Sequence, residues 1–170
     1  MNEVLARWNS IEEREAQNEI RSCCGSTRWA AEMTMRRPFR DEAQLFAAAD
    51  RVWAEGDEVD WLEAFRSHPK IGEARAALET GTKAAGWSKE EQKDVALAEV
   101  AIKARLADAN RSYKDKFGFI FIVCATGKSA AEILSVLESR LENGREIELR
   151  NAEQEQRKIM QLRLRKWLGI

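Results

Sequence analysis

The chain reads as an all-α protein, a single domain of about eight helices. Three observations predict that class. Punctuation is thin, with 9 glycines and 2 prolines in 170 residues, too few turn formers for an all-β sandwich. Three capping boxes, Ser10-Ile11-Glu12-Glu13, Ser88-Lys89-Glu90-Glu91 and Ser129-Ala130-Ala131-Glu132, each offer a hydroxyl and a carboxylate to the free amides of a helix start. Charged residues make up 34% and hydrophobic ones 44%, the balance of a soluble, charge-laced helical protein. The length suits one domain with a core of useful size.

The first box predicts a helix from about Ser10 to Cys24, stopped by Gly25. A second helix starts near Ser26, carries Trp29 and Met33, and must end before Pro38, since proline disfavours helical geometry in the residue before it. Asp41 opens a third over Glu42 to Glu55, with Leu45, Ala48, Ala49 and Val52 as its apolar stripe. Gly56-Asp57 breaks it, and Val59 to Arg66 follows with Trp61, Leu62 and Phe65 inward. The second box starts a long helix carrying Val95, Ala98, Ile102, Leu106 and Ala109. The uncharged run Phe117 to Ala125 finds no partner strand elsewhere, which predicts a buried extended connection. The third box begins a helix ending near Asn143-Gly144, and a last one runs from about Glu146 to Trp167.

Composition also excludes functions. A net charge of −1 does not suggest a nucleic-acid binder. His68 is the sole histidine, so a site built from several histidines of one chain is excluded. Cys23, Cys24 and Cys124 make an odd count with two members adjacent; they are no disulfide framework and fit a reducing compartment. The Cys23-Cys24 pair is expected to pack at a helix end. The first residues lack a signal-peptide pattern, no run approaches the ~20 apolar residues of a membrane span, and Leu168-Gly169-Ile170 is not a peroxisomal address. A cytoplasmic protein is expected. Phosphate-loop, dinucleotide, nucleophile-elbow and zinc-protease signatures are lacking.

Few residues remain that could carry chemistry. His68 offers a proton switch near neutral pH. It follows a helix and precedes Pro69, which fixes a non-helical bend; it could equally cap the preceding helix. Glu91 is the cap partner of Ser88, yet a carboxylate there could also orient an imidazole. Arg163 lies beside the apolar face of the last helix, where its stem could snorkel along the core or its fork clamp an anion. Phe119 to Ala125 could be core alone, or could present backbone groups to a flat, polar ligand.

Five segments taken together carry a resemblance. They are Cys24-Gly25-Ser26-x-x-Trp29-Ala30-x-x-Met33; Asp60-Trp61-Leu62-x-Ala64-Phe65-x-x-His68-Pro69-Lys70-Ile71-Gly72; Trp87-Ser88-x-x-Glu91-Gln92; Tyr113-x-x-Lys116-Phe117-Gly118-Phe119-x-Phe121-Ile122; and Arg140-Leu141-x-Asn143 followed by Glu153, Ile159 and Leu162-Arg163-Leu164. Their order and spacing resemble the 2-oxo-4-hydroxy-4-carboxy-5-ureidoimidazoline (OHCU) decarboxylase family over nearly the whole chain. The resemblance implies an all-α, cofactor-free homodimer that releases carbon dioxide from OHCU to give (S)-allantoin in urate breakdown. It implies His68 as catalytic acid/base, Glu91 as the group that orients it, and Arg163 as a holder of substrate oxygens. Pro69, the segment Ser88, Lys89, Glu90 and Gln92, and the backbone around Phe121, Ile122, Val123, Cys124 and Ala125 would line the substrate. Lys70 and Lys128 stand where an arginine is also familiar. The alternatives are a catalytically silent helical interaction module and a lyase or hydrolase of a related ureide.

Overall fold

A computed structural model describes residues 2–68 and 89–170, the side chains of 89–98 excepted. Among the described residues there are eight α-helices and no strand, so the fold is all-α. The chain divides into two compact units, Met1–His68 with Leu149–Ile170, and Pro69–Glu148.

The first unit holds α1 (Glu3–Ser10), α2 (Glu13–Cys24), α3 (Thr27–Met35), α4 (Glu42–Ala54) and α5 (Glu58–Arg66), together with most of α8 (Arg145–Leu168). The expected box at Ser10 does not form. Leu5 and Trp8 are buried and draw Glu3–Ser10 into a helix of its own, and the Ser10 hydroxyl donates back to the Arg7 carbonyl at 2.8 Å. The start of α2 is capped instead by the Glu12 carboxylate, which accepts from the amides of Arg14 and Glu15. Asn2, whose side chain caps α1, had left no mark in the sequence reading. Ser26 and Asp41 cap α3 and α4 as predicted, and α5 carries a capping box between Asp57 and Asp60.

Three tryptophans anchor this unit. Trp8, Trp29 and Trp53 are fully buried. Each indole N–H donates to a helix carbonyl: Ala16 at 2.9 Å, Ala49 at 3.1 Å and Glu153 at 3.2 Å. Large apolar surface is thus removed from water without orphaning the one polar atom of each ring. Along α8 the residues facing inward are Leu149, Ala152, Gln156, Met160, Leu164 and Leu168, spaced three or four apart as one helix face requires. Gln156 is the polar member of that stripe.

The second unit contains the described part of α6 (Lys89–Phe117) and α7 (Ala130–Arg140). The Ser129–Glu132 capping box forms as predicted. Residues 118–125 run without regular structure, and Phe119, Phe121, Ile122 and Val123 are buried, as expected of an extended connection. Behind it Glu148, fully buried, accepts hydrogen bonds from Arg140, from Asn143 at 2.8 Å and from the Tyr113 hydroxyl at 2.8 Å. The Arg140 guanidinium holds the Glu148 carboxyl below the usual carboxylate range against the opposing effect of burial, so the pair is ionised and enclosed. Arg140 also donates to the Ile122 carbonyl at 2.9 Å, which ties the extended segment to α7.

Candidate active site

The site grows from the end of α5. Ser67 is the C-cap, and its hydroxyl donates to the Ala64 carbonyl at 2.6 Å. The next amide, that of His68, donates to Phe65 at 3.1 Å, so the tight turn carries on one residue past the helix. The end of α2 presses against it. Gly25 is the left-handed cap of α2 at φ +90, and a Cβ there would lie 2.2 Å from the Ser67 hydroxyl oxygen. Two independent demands, a positive φ and a close approach, therefore meet at Gly25.

His68 lies in this crease, half-buried. Arg163 reaches it from α8, with Nη2 donating to Nδ1 at 3.2 Å. A guanidinium has no acceptor, so Nδ1 carries no proton in this arrangement. Burial, and then the charge of Arg163, lower the imidazole to about 4, while the Gln156 side chain opposes them weakly. His68 is therefore neutral at physiological pH, with its proton on Nε2.

Cys23 and Cys24 are buried at the end of α2, as expected of that pair, and feel the charge of Arg163. Burial pushes their thiols up to about 11 and about 12 respectively, so neither supplies a thiolate near neutral pH. Among the described residues no group of three or more His, Cys, Asp and Glu side chains is placed to hold a metal ion. No helix among them is long and apolar enough to cross a membrane.

The structure thus brings the side chains of His68 and Arg163 together. Pro69 and Ser88 lie outside the described residues, as do the side chains of Lys89, Glu90, Glu91 and Gln92. Phe121, Ile122, Val123, Cys124 and Ala125 belong to the second unit. Their carbonyls are less available than the sequence suggested. Those of Ile122, Cys124 and Ala125 accept from Arg140, from the Lys128 ammonium at 3.0 Å and from the Lys128 amide at 3.0 Å.

A family model described as OHCU decarboxylase matches residues 9–165. The chain belongs to the OHCU decarboxylase family. It is 37% identical over 150 residues to the Arabidopsis thaliana uric acid degradation bifunctional protein TTL, covering 88% of this chain and 46% of that protein. It is 34% identical over 145 residues to the Mus musculus 2-oxo-4-hydroxy-4-carboxy-5-ureidoimidazoline decarboxylase, covering 82% of this chain and 78% of that one. It thus spans less than half of the bifunctional Arabidopsis relative and most of the mouse protein. A crystal structure of OHCU decarboxylase in the presence of (S)-allantoin superposes with a TM-score of 0.73 at 36% identity, covering 90% of this chain and 99% of that one.

Gln156 is the site residue that the sequence reading of this OHCU decarboxylase family member missed. Its signal was present: it interrupts the apolar stripe of α8 at a core position, seven residues before Arg163. A run as rich in Glu, Gln, Arg and Lys as Glu146 to Lys166 hides one more polar residue well.

Proposed function

We propose that the protein is a carboxy-lyase converting OHCU to (S)-allantoin and carbon dioxide in urate degradation, with His68 handling the proton and no cofactor required. The observation that carries this reading is the 3.2 Å contact between Arg163 and Nδ1 of His68. It sets the chain's sole histidine beside a cation suited to the anionic substrate. Family membership and the similarity to an OHCU decarboxylase structure determined with (S)-allantoin support it.

The chemistry follows from the resting state. An arriving carboxylate competes with the ring for the Arg163 fork, which suits a planar pair of oxygens. Nδ1 is released, and a negative charge now stands between the ring and the guanidinium that, with burial, kept it neutral. Both changes raise the proton affinity of His68, and the ring takes up a proton from solvent. The bond between the ring carbon and the carboxylate then breaks, and its electron pair stays on the substrate ring. Carbon dioxide leaves, and the imidazolium returns its proton to one face of the substrate, setting the (S) centre. A placed acid contributes about 10²–10⁴-fold, and holding the reactive conformer supplies much of the remainder.

In the same reading Glu91 orients His68, and Pro69, Ser88, Lys89, Glu90, Gln92 and the Phe121 to Ala125 backbone line the substrate. The chain acts as one domain, as a homodimer in the cytoplasm, without nucleic-acid or membrane partners. The test is His68→Ala assayed on OHCU generated fresh from urate. The substrate should decay at its spontaneous rate; acceleration at the wild-type level by a folded variant would refute the assignment.

A further inference from the structure

We propose that Gln156 is a positioning residue that reinforces the His68 tautomer demanded by Arg163, its side-chain oxygen Oε1 being the acceptor for the ring proton on Nε2. The inference deepens the reading of His68 as the proton-handling group.

Four observations converge on it. Gln156 is fully buried (0% exposed) in the middle of the apolar face of α8, a place where an amide stays only with its hydrogen bonds made. Its Nε2 donates to the Cys24 carbonyl at 3.1 Å, which fixes the amide orientation and leaves Oε1 as the free acceptor. Oε1 of Gln156 and Nε2 of His68 are both buried and neither has a hydrogen-bond partner. The Gln156 side chain acts on the imidazole as a hydrogen-bonding group, and with its Nε2 engaged by the Cys24 carbonyl the acceptor it has left for the ring is Oε1.

Directionality makes the assignment specific. Arg163 can only donate, so Nδ1 must accept, and the proton of the neutral ring belongs on Nε2. That N–H needs an acceptor. An amide turned the other way would offer a second donor to it and would lose the Cys24 bond. The series from Arg163 to His68, to Gln156, to Cys24 therefore runs in one direction, each member dictating the next. Gln156 and Arg163 are seven residues apart, two turns of α8, and so share a face. One helix thus addresses both nitrogens of the ring. Among the described residues the titratable group that acts on this ring is Arg163 from α8, whose guanidinium also acts on the Cys23 and Cys24 thiols of α2.

Because the full chain has one histidine, ¹⁵N NMR of the ligand-free protein reports His68 alone. At neutral pH Nε2 should be protonated and Nδ1 bare. In Gln156→Leu the ratio of the Nε2–H to the Nδ1–H form should fall about three- to tenfold, the worth of one hydrogen bond. The kcat on OHCU should fall by a similar factor, with KM little changed. In Gln156→Glu a carboxylate faces the ring, and the imidazole should titrate at least about one pH unit higher. Observing the Nδ1–H form in the wild type would overturn the proposal. So would an unchanged tautomer in a folded Gln156→Leu variant, or an unmoved titration in Gln156→Glu. The spectra are read without substrate, so a wild type inactive on OHCU would refute the proposed activity and leave the tautomer assignment standing.

Discussion

At the scale of the residue, His68 is defined by its burial and by what touches Nδ1. Nδ1 meets Arg163, and the ring is lowered to about 4, first by burial and then by that charge. Arg163→Met removes the charge and the donor together while keeping much of the stem. The imidazole of this variant should titrate higher than in the wild type, read by NMR on the single histidine. Its kcat/KM on OHCU should drop about 10- to 100-fold, the range for losing a hydrogen bond to a charged group. Arg163→Lys restores the charge without the planar fork. It should bring the titration back toward the wild-type value while recovering only part of the activity. Equal recovery of both would show that charge alone is what the site uses.

At the scale of the element, the decisive junction is where the end of α2 meets the end of α5. In Gly25→Ala the left-handed backbone strains any L side chain, and the new methyl meets the Ser67 hydroxyl. Together these should cost about 2–3 kcal/mol, measured as a shift of the urea midpoint at constant slope. Activity should fall too, because Ser67 precedes His68. Adding Ser67→Gly removes the colliding atoms and should restore part of the stability, leaving the torsional share. Full rescue would show that the backbone angle costs nothing. Such junctions mark the limit of what a sequence discloses. Ser26, Asp41 and Ser129 were legible as caps, because capping depends on a few neighbouring residues. The helix of Glu3–Ser10 was missed because Ser10 and Glu13 offered a local pattern that the burial of Leu5 and Trp8 overrode. His68 and Arg163 could be picked out singly and through the resemblance, but their contact spans 95 positions and no local rule predicts it. Gln156 showed only as a polar break in an apolar stripe.

At the scale of the whole molecule, a ring kept neutral in the fold links stability to pH. The imidazole binds protons near 6.5 in the unfolded chain and at about 4 in the folded one. Between those values the unfolded chain holds a proton that the folded chain refuses, so acid favours unfolding. The contribution of His68 is complete above about pH 6.5 and is lost as pH falls toward 4. His68→Gln removes that dependence. The wild type should therefore lose more stability than the variant between pH 7.5 and 4.5, by urea unfolding at both values; parallel losses would contradict a buried neutral ring. Carboxylates such as Asp50 and Glu148, held low by Arg157 and Arg140 respectively, also lose stabilising charge in acid. They do so in both proteins and cancel in the difference.

The bond from Arg163 to Nδ1 also bears on selectivity. A ligand that is to charge the ring must first win the guanidinium away from it. A neutral ureide of the right outline leaves that bond in place and meets a neutral imidazole, whose remaining N–H is far too weak an acid to protonate it. In the proposed reaction the contact is an admission test on charge, applied before any chemistry begins, that needs no pocket to tell the shapes of neutral ureides apart.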